Sequence, residues 1–512
     1  MGAGRPPRRG RGVRVTRPAH VRDKPVDAAR AAARDVLRAV RERDSYANLV
    51  LPRLLRERHI TGRDAAFATE LAYGTCRTAG VLDQIIAAAA KRPVTEIDPT
   101  LLDVLRLGSY QLLRTRVGSH AAVSTSVDLV RSEAGQGPAG FCNAVLRKVS
   151  QRDEELWTEE LAPSIAEDPV GHLAFRYAHP RWIADVFADA LSTPTRRVGA
   201  GELQAALAAD DARPEVHLVA RPGLITADEL AATTGGEVGR WSPYCVYLPG
   251  GDPGALDAVR EHLAGVQDEG SQLVARALSM APLDGADGGR WLDLCAGPGG
   301  KAALLASLAD IDGAHVDAVE PAEHRAELVR QATAGLAVTV HVVDGRESGL
   351  DPGYDRILVD APCTGLGSLR RRPEARWRRT PEDVAPLVTL QRELLTAAVG
   401  LLRPGGALVY STCSPHPEET LGVVRAVAES TGAVLSDARG LVGVDAAGTD
   451  SVGVDTDPAH GTVQLWPHRH GTDAMFLALL TVPVPTDDAA GEDDRAGEAD
   501  VTATVGTADI AP

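Results

Sequence analysis

A chain of 512 residues, 44% hydrophobic and 24% charged, is too long for one compact core and has the balance of a globular protein rather than a disordered or fibrous one. No apolar run comes near the ~20 residues that span a bilayer, which argues against a transmembrane protein, and six cysteines with no C-x-x-C pair suit neither a disulfide framework nor a zinc site, so free thiols in a reducing cytoplasm and no metal are expected. The net charge of −16 is uneven, +7 over residues 1–25, +5 over 26–150 and −28 beyond, an asymmetry that points to a polyanionic partner held by the front third.

The opening residues, MGAGRPPRRGRGVRVTRP, are basic but lead into no apolar stretch, so a secretory signal is not expected. Composition predicts a disordered basic arm over 1–25 and a disordered acidic tail over 485–512. Between about 26 and 150 the apolar residues recur at i, i+3, i+4 and i+7, as in VDAARAAARDVLRAVRER, and predict an all-α bundle in which Gly74, Gly80 and Gly108 are local interruptions. Residues 151–265 predict a small α/β connector, with a helix in HPRWIADVFADAL and strands in RPEVHLVARPG and VGRWSPYCVYLPGG. From about 266 to 484 short apolar strands (GRWLDLCA, AHVDAVEP, VTVHVVDG, YDRILVDAP, GGALVYSTC) alternate with helix-like stretches. Such β–α units predict a Rossmann-like α/β domain whose mostly parallel sheet is covered on both faces, with ligands beyond the strands' C-terminal ends.

Three motifs stand at those ends. The turn Cys295-Ala296-Gly297-Pro298-Gly299-Gly300-Lys301 follows a strand and opens a helix, where glycines let a ligand approach bare backbone. Gly297-x-Gly299-x-x-Ala302 also satisfies a dinucleotide fingerprint, leaving a nicotinamide oxidoreductase as one reading. Glu320, Asp344 and Asp360 end the next three strands, and three acids suit ribose hydroxyls, an adenine amine and a positive centre better than two phosphates, which favours S-adenosylmethionine. Finally Cys363 and Cys413 each lie just past a strand, in DAPC and STCS, at the active edge of the sheet. Arg370, Arg371, Arg372 and Arg376 follow Cys363 closely and are candidates to meet phosphates, with Trp377 beside them as a candidate stacking surface.

CAGPGGK, DAPC and STCS in this order resemble the RNA cytosine-5 methyltransferases, and within them the bacterial 16S ribosomal RNA type with a NusB-like N-terminal domain (the Sun/Fmu type). The resemblance runs from about Val26 to Leu480 and includes FCNAVLRKV, VQDEGSQL and HGTDAMFLALL; Ala302, Glu320 and Met475 stand where the family usually has Thr, Asp and Phe. It implies that Cys413 adds to cytosine C6, that Cys363 serves release of the adduct by removing the C5 proton, and that Asp360 meets N3. An aspartate donates only when protonated, so burial is expected to raise the Asp360 pKa. It further implies S-adenosylmethionine across Cys295–Lys301, with Glu320 on the ribose hydroxyls and Asp344 near the adenine. The implied partner is 16S rRNA in a small-subunit precursor, with RNA affinity added by the helical domain; tRNA, or a non-catalytic RNA-binding or assembly role, are the alternatives. No membrane partner and no particular oligomer are implied.

Overall fold

The computed structural model describes Met1 and residues 27–192, 197–442 and 461–484; apart from Met1, the expected basic arm and acidic tail lie outside the described residues. The chain divides into two compact units, the first made of Met1–Ser45, Leu49–Thr75 and Leu82–Glu154, the second of Tyr46–Asn48, Cys76–Val81 and Glu155–Pro512.

The first unit is helical, drawn from α1 (Ala28–Arg43), α2 (Ala47–Glu57), α3 (Gly62–Ala90), α4 (Pro99–Arg114), α5 (Ser119–Ala134) and α6 (Gln136–Val149), with residues 47–48 of α2 and 76–81 of α3 falling in the second unit. Helix starts follow the sequence. Asp27 caps α1 by accepting from the Arg30 N–H, and Asp98 caps α4 from Thr100 and Leu101, with Pro99 at the first helical position where no N–H is needed. All three glycines expected to interrupt helices instead lie inside them, Gly74 and Gly80 in α3 and Gly108 in α4. A Cβ on Gly74 would fall 2.0 Å from the Tyr110 ring, and one on Gly108 2.6 Å from Leu146, so each marks a close helix crossing rather than a break.

The second unit opens with α7 (Glu154–Leu161), α8 (Pro169–Arg176), α9 (Arg181–Ala190) and α10 (Ala200–Asp211). A four-stranded antiparallel sheet follows, built from β1 (Val216–Ala220), β2 (Glu237–Val238), β3 (Cys245–Leu248) and β4 (Ala264–Val266) in the order β2-β3-β1-β4, with α11 (Ala227–Thr234) and α12 (Asp257–Arg260) between its strands.

After α13 (Glu269–Met280) come β5 (Arg290–Asp293), α14 (Gly300–Ile311), β6 (His315–Val319), α15 (Glu323–Ala332), β7 (Val338–His341), β8 (Tyr354–Asp360), α16 (Val384–Leu401), β9 (Leu402–Thr412), α17 (Leu421–Thr431), β10 (Val434–Ser436), β11 (Val463–Gln464), α18 (Pro467–His470) and β12 (Phe476–Thr481). The strand order is β10-β12-β9-β8-β5-β6-β7, with β11 paired to β12. Strands β7, β6, β5, β8 and β9 are mutually parallel, while β10, β11 and β9 each pair antiparallel with β12. The antiparallel edge was not legible as strands beforehand; the five parallel strands were.

The apolar runs explain the layering. Trp291, Val316, Leu358 and Val409 face α13 and α14, while Leu292, Ile357, Val359 and Leu408 face α16 and α17, so neither face of the sheet meets water. One helix among the described residues, 381–401, is long and apolar enough by length and composition to cross a membrane, which the sequence reading did not anticipate. Most of it is α16, which buries Val384, Val388, Leu394, Leu395, Ala398 and Leu401 against that second face. Because β5 is followed by β6 and β7 on one side and neighbours β8 on the other, the order of connection reverses between β5 and β8, where open sheets of this kind form a ligand crevice.

The segment between β8 and α16 is anchored internally. Arg376, expected to meet phosphate, is fully buried, with Nη2 2.5 Å from Asp210 Oδ2 and Nη1 donating to the Ala178 carbonyl. His179 Nε2 lies 3.0 Å from the same Asp210 oxygen, and burial, with the Arg376 charge, holds its imidazole below the ordinary value. Removing one partner of such a pair strands the other charge. Arg376→Met is expected to destabilise the second unit by about 3–5 kcal/mol, and Arg376→Met with Asp210→Leu to lose less than that single change. Denaturant unfolding checks this; a single variant as stable as the wild type defeats it.

Candidate active site

Local sequence builds the floor of the crevice. β5 ends at Asp293, and the chain turns through Gly297 and Gly299 into α14. Gly299 has φ +110°, and a Cβ there would sit 2.7 Å from the Ala332 Cβ; a Cβ on Gly297 would sit 2.1 Å from Glu320 Oε2. Only bare backbone fits the turn. Glu320, past the end of β6, is buried beneath it: Oε1 accepts from the Ala322 N–H, and Arg325 lies 3.3 Å from Oε2 while also donating to the Gly297 carbonyl.

Asp293 was not singled out by sequence, although it lies two residues ahead of the glycine motif. It is fully buried; Oδ1 accepts from the Cys295 N–H at 3.3 Å, and Oδ2 has no partner among the described residues. Burial, reinforced by the Asp360 charge, pushes its carboxyl up to about 7. Burial and the surrounding Asp293, Asp360 and Glu320 likewise push the Cys295 thiol well above its ordinary value. A buried acceptor with no donor, in a cluster of three acids beside a turn without side chains, fits a ligand that carries positive charge and hydroxyl groups; this is the fit that S-adenosylmethionine needs.

Asp360, at the end of β8, meets two donors: Lys301 Nζ at 2.8 Å and Ser411 Oγ at 2.9 Å. It was expected to be a proton donor made neutral by burial. In the structure it accepts from both donors, as the partner of Lys301 in an ion pair. Burial opposes the Lys301 charge, but the Asp360 carboxylate, with Cys413 and Asp293, holds its ammonium above the ordinary value.

The two thiols converge. Ser411 stands opposite Asp360 in the β8–β9 register, and Cys363 and Cys413 follow these residues in their strand-end loops. Their sulfurs lie 3.5 Å apart, both partly accessible, and Ser368 Oγ is 3.8 Å from Cys413 Sγ. The hydrogen bond from Cys363 holds the Cys413 thiol below its ordinary value against the opposing effect of burial, with Arg372 and Lys301 adding to it; the same contact and burial push Cys363 well above. Of the two, Cys413 is therefore the more readily ionised.

The other expected residues have partners within the protein or stand exposed. Asp344 is half exposed, and its carboxylate caps the turn after β7 while gripping Arg346 through Nε and Nη2. Arg370 is buried on Asp473 and the Gly471 carbonyl, and Arg371 bonds Asp268, Asp473 and the Glu215 carbonyl. With Arg376 also internal, three of the four arginines expected on phosphate are engaged inside the second unit; Arg372 alone of the four is exposed. Trp377 Nε1 donates to the carbonyl of Arg77, whose segment belongs to the same unit. Among the described residues no group of three or more His, Cys, Asp or Glu could hold a metal ion.

Comparison with known proteins gives two family matches, 16S rRNA methyltransferase RsmB/F over residues 280–481 and the NusB family over 27–151. Ribosomal RNA small subunit methyltransferase B of Pseudomonas syringae pv. tomato is 33% identical over 468 residues, covering 88% of this chain and 96% of that protein. The Mycobacterium tuberculosis protein Rv1407, which bears a methyltransferase name, is 61% identical over 459 residues, covering 90% and 97%. The crystal structure of PH0851 shares the fold, with a TM-score of 0.72 at 21% identity over 90% of this chain and 99% of that one.

The opposed thiols give a direct check. At neutral pH iodoacetamide is expected to label Cys413 roughly tenfold or more faster than Cys363, because the thiolate is the reactive form. Peptide mass spectrometry reads the order, and preferential labelling of Cys363 reverses the assignment.

Proposed function

The chain belongs to the ribosomal RNA small subunit methyltransferase B family of S-adenosylmethionine-dependent enzymes, and on that premise we propose that it methylates C5 of a cytosine in 16S ribosomal RNA through a transient bond between Cys413 and C6. The observation that carries this reading is the 3.5 Å separation of the Cys363 and Cys413 sulfurs at the ends of neighbouring strands. A cytosine C5 is a weak nucleophile, and a thiolate added at C6 turns the ring into an enamine with electron density on C5.

Asp293, the Cys295–Lys301 turn and Glu320 would hold S-adenosylmethionine, which when bound supplies an electrophilic methyl group; Asp344, engaged with Arg346, is the least suited of the expected contacts. Asp360 takes the N3–N4 edge of the base, its oxygens accepting from the N4 amino group. As Cys413 adds to C6, N3 takes a proton from Lys301, the ammonium 2.8 Å from Asp360. Once bonded to carbon, the Cys413 sulfur is a neutral thioether. The acceptor and negative charge that held the Cys363 proton are then gone, so Cys363 loses that proton to water and becomes able to take the one on C5. The electrons of that C–H bond expel Cys413 as a thiolate, N3 returns its proton to Lys301, and both sulfurs regain their starting states. The target cytosine must be unpaired or flipped out to reach them.

The same reading divides the chain into an RNA-binding helical domain over 26–150, a connector over 151–265 and a catalytic domain over 266–484. The +5 charge of residues 26–150 gives the first of these a salt-dependent affinity for RNA. A ribosomal RNA substrate places the activity in the cytoplasm.

Cys413→Ala is expected to abolish methyl transfer, whereas Cys363→Ala is expected to leave an RNA–protein adduct that survives a denaturing gel; normal turnover without an adduct in the latter variant removes Cys363 from the mechanism. Gly297→Val, which drives a side chain into Glu320, is expected to weaken S-adenosylmethionine binding about tenfold or more, or ≥ ~1.4 kcal/mol by titration calorimetry. Unchanged affinity would place the cofactor elsewhere.

A further inference from the structure

The loops that carry the two thiols are joined by a carboxylate to which nothing so far assigns a role. Glu419 lies six residues beyond Cys413, is fully buried, and has its backbone carbonyl fixed by the Tyr410 hydroxyl at 2.8 Å. Its Oε1 accepts from the Thr364 N–H at 2.7 Å and from Gln391 Nε2 at 3.1 Å. Its Oε2 accepts from the Thr364 hydroxyl at 2.5 Å and the Ser414 hydroxyl at 2.6 Å. Thr364 directly follows Cys363, and Ser414 directly follows Cys413, so a single carboxylate grips the next residue of both loops. Gln391, buried on α16, completes the brace by also donating to the carbonyl of Pro362 at 2.8 Å, on the other side of Cys363.

We propose that Glu419 is a positioning residue that sets the spacing of Cys363 and Cys413, and hence their common approach to one pyrimidine; the second half of this statement rests on the function proposed above. Four hydrogen bonds to an ionised acceptor are individually strong, and together they tie the Cys363 loop, the Cys413 loop and α16 to one point. Glu419 touches neither sulfur and is not itself a catalytic residue.

The test turns on a sign. If Glu419 acts only as a nearby negative charge, Glu419→Gln removes that charge and makes Cys413 easier to ionise. If it holds the loops together, the same change separates the thiols, Cys413 loses its donor, and its ionisation becomes harder. We expect the midpoint of the pH profile of Cys413 alkylation by iodoacetamide to rise by about one unit in Glu419→Gln, with kcat down about 100-fold, KM for RNA within a few-fold, and Glu419→Asp in between on both. Gln391→Leu, which removes only the brace on Pro362, is expected to move the midpoint the same way by less, and serves if Glu419→Gln fails to fold. A midpoint that stays or falls overturns the proposal. Thiol profiles need no RNA, so a wild-type protein that transfers no methyl to rRNA defeats the function proposed above while the profiles still decide the role of Glu419.

Discussion

The site depends on the contact between the Cys363 and Cys413 sulfurs, and nothing in the local sequence makes that contact. Fifty residues separate the two thiols in the chain. They meet because β8 and β9 pair in parallel with Asp360 opposite Ser411, each thiol lying a few residues past that pair. Register in such a sheet is enforced by burial: a slip of one residue would turn Ile357 and Leu408 from one packed face to the other, where α13 and α14 already meet Leu358 and Val409. The two helix layers that cover the sheet are therefore what holds the chemistry in place, and Glu419 makes the last adjustment beyond the strands' ends.

Much of this was legible in the sequence, for a physical reason. Parallel strands buried on both faces are short continuous apolar runs, and YDRILVD and GGALVYST stand out against the helical periodicity around them. The glycine turn was legible because bare backbone is needed at Gly297 and Gly299, and the thiols because cysteine at a strand end is chemically conspicuous. What escaped was whatever tertiary partners decide. Gly74 and Gly108 read as breaks because sequence shows the cost of glycine in a helix but not the Tyr110 ring or the Leu146 side chain that requires it. The arginines after Cys363 read as a surface for phosphate because their partners, Asp210, Asp268 and Asp473, are distant in the chain; a cluster of charge says nothing of whether the counter-charge is RNA or protein. Asp268 and Asp473 sit inside VQDEGSQL and HGTDAMFLALL, patterns to which sequence alone gives no role.

The internal use of those arginines has a consequence for the loop they belong to. Arg370 and Arg371 converge on Asp473, just ahead of β12, and on Asp268, at the start of α13, while Arg376 reaches Asp210 on α10. The segment that begins at Cys363 is therefore fastened to the connector, to α13 and to the antiparallel edge of the sheet. A segment held at so many points by buried ion pairs has little freedom to reorganise as a substrate arrives, and preorganised geometry is what a reaction between fixed sulfurs and a bound base requires.

Three carboxyls near the glycine turn are sorted by their partners rather than by their chemistry. Asp360 has Lys301 at 2.8 Å and Glu320 has Arg325 at 3.3 Å, but Asp293, the most enclosed, has no ion-pair partner among the described residues and one oxygen without a donor there. Its carboxyl, raised to about 7, is therefore partly protonated near neutrality, the least costly state for a buried acid without a partner. A cation arriving beside it would favour the charged form and draw that proton off, so binding of a positively charged ligand here should release protons as pH falls toward 7 and cease to do so well above it. The same asymmetry explains why the site can hold three acids without tearing itself apart: two are paired with cations, and the third is in part uncharged.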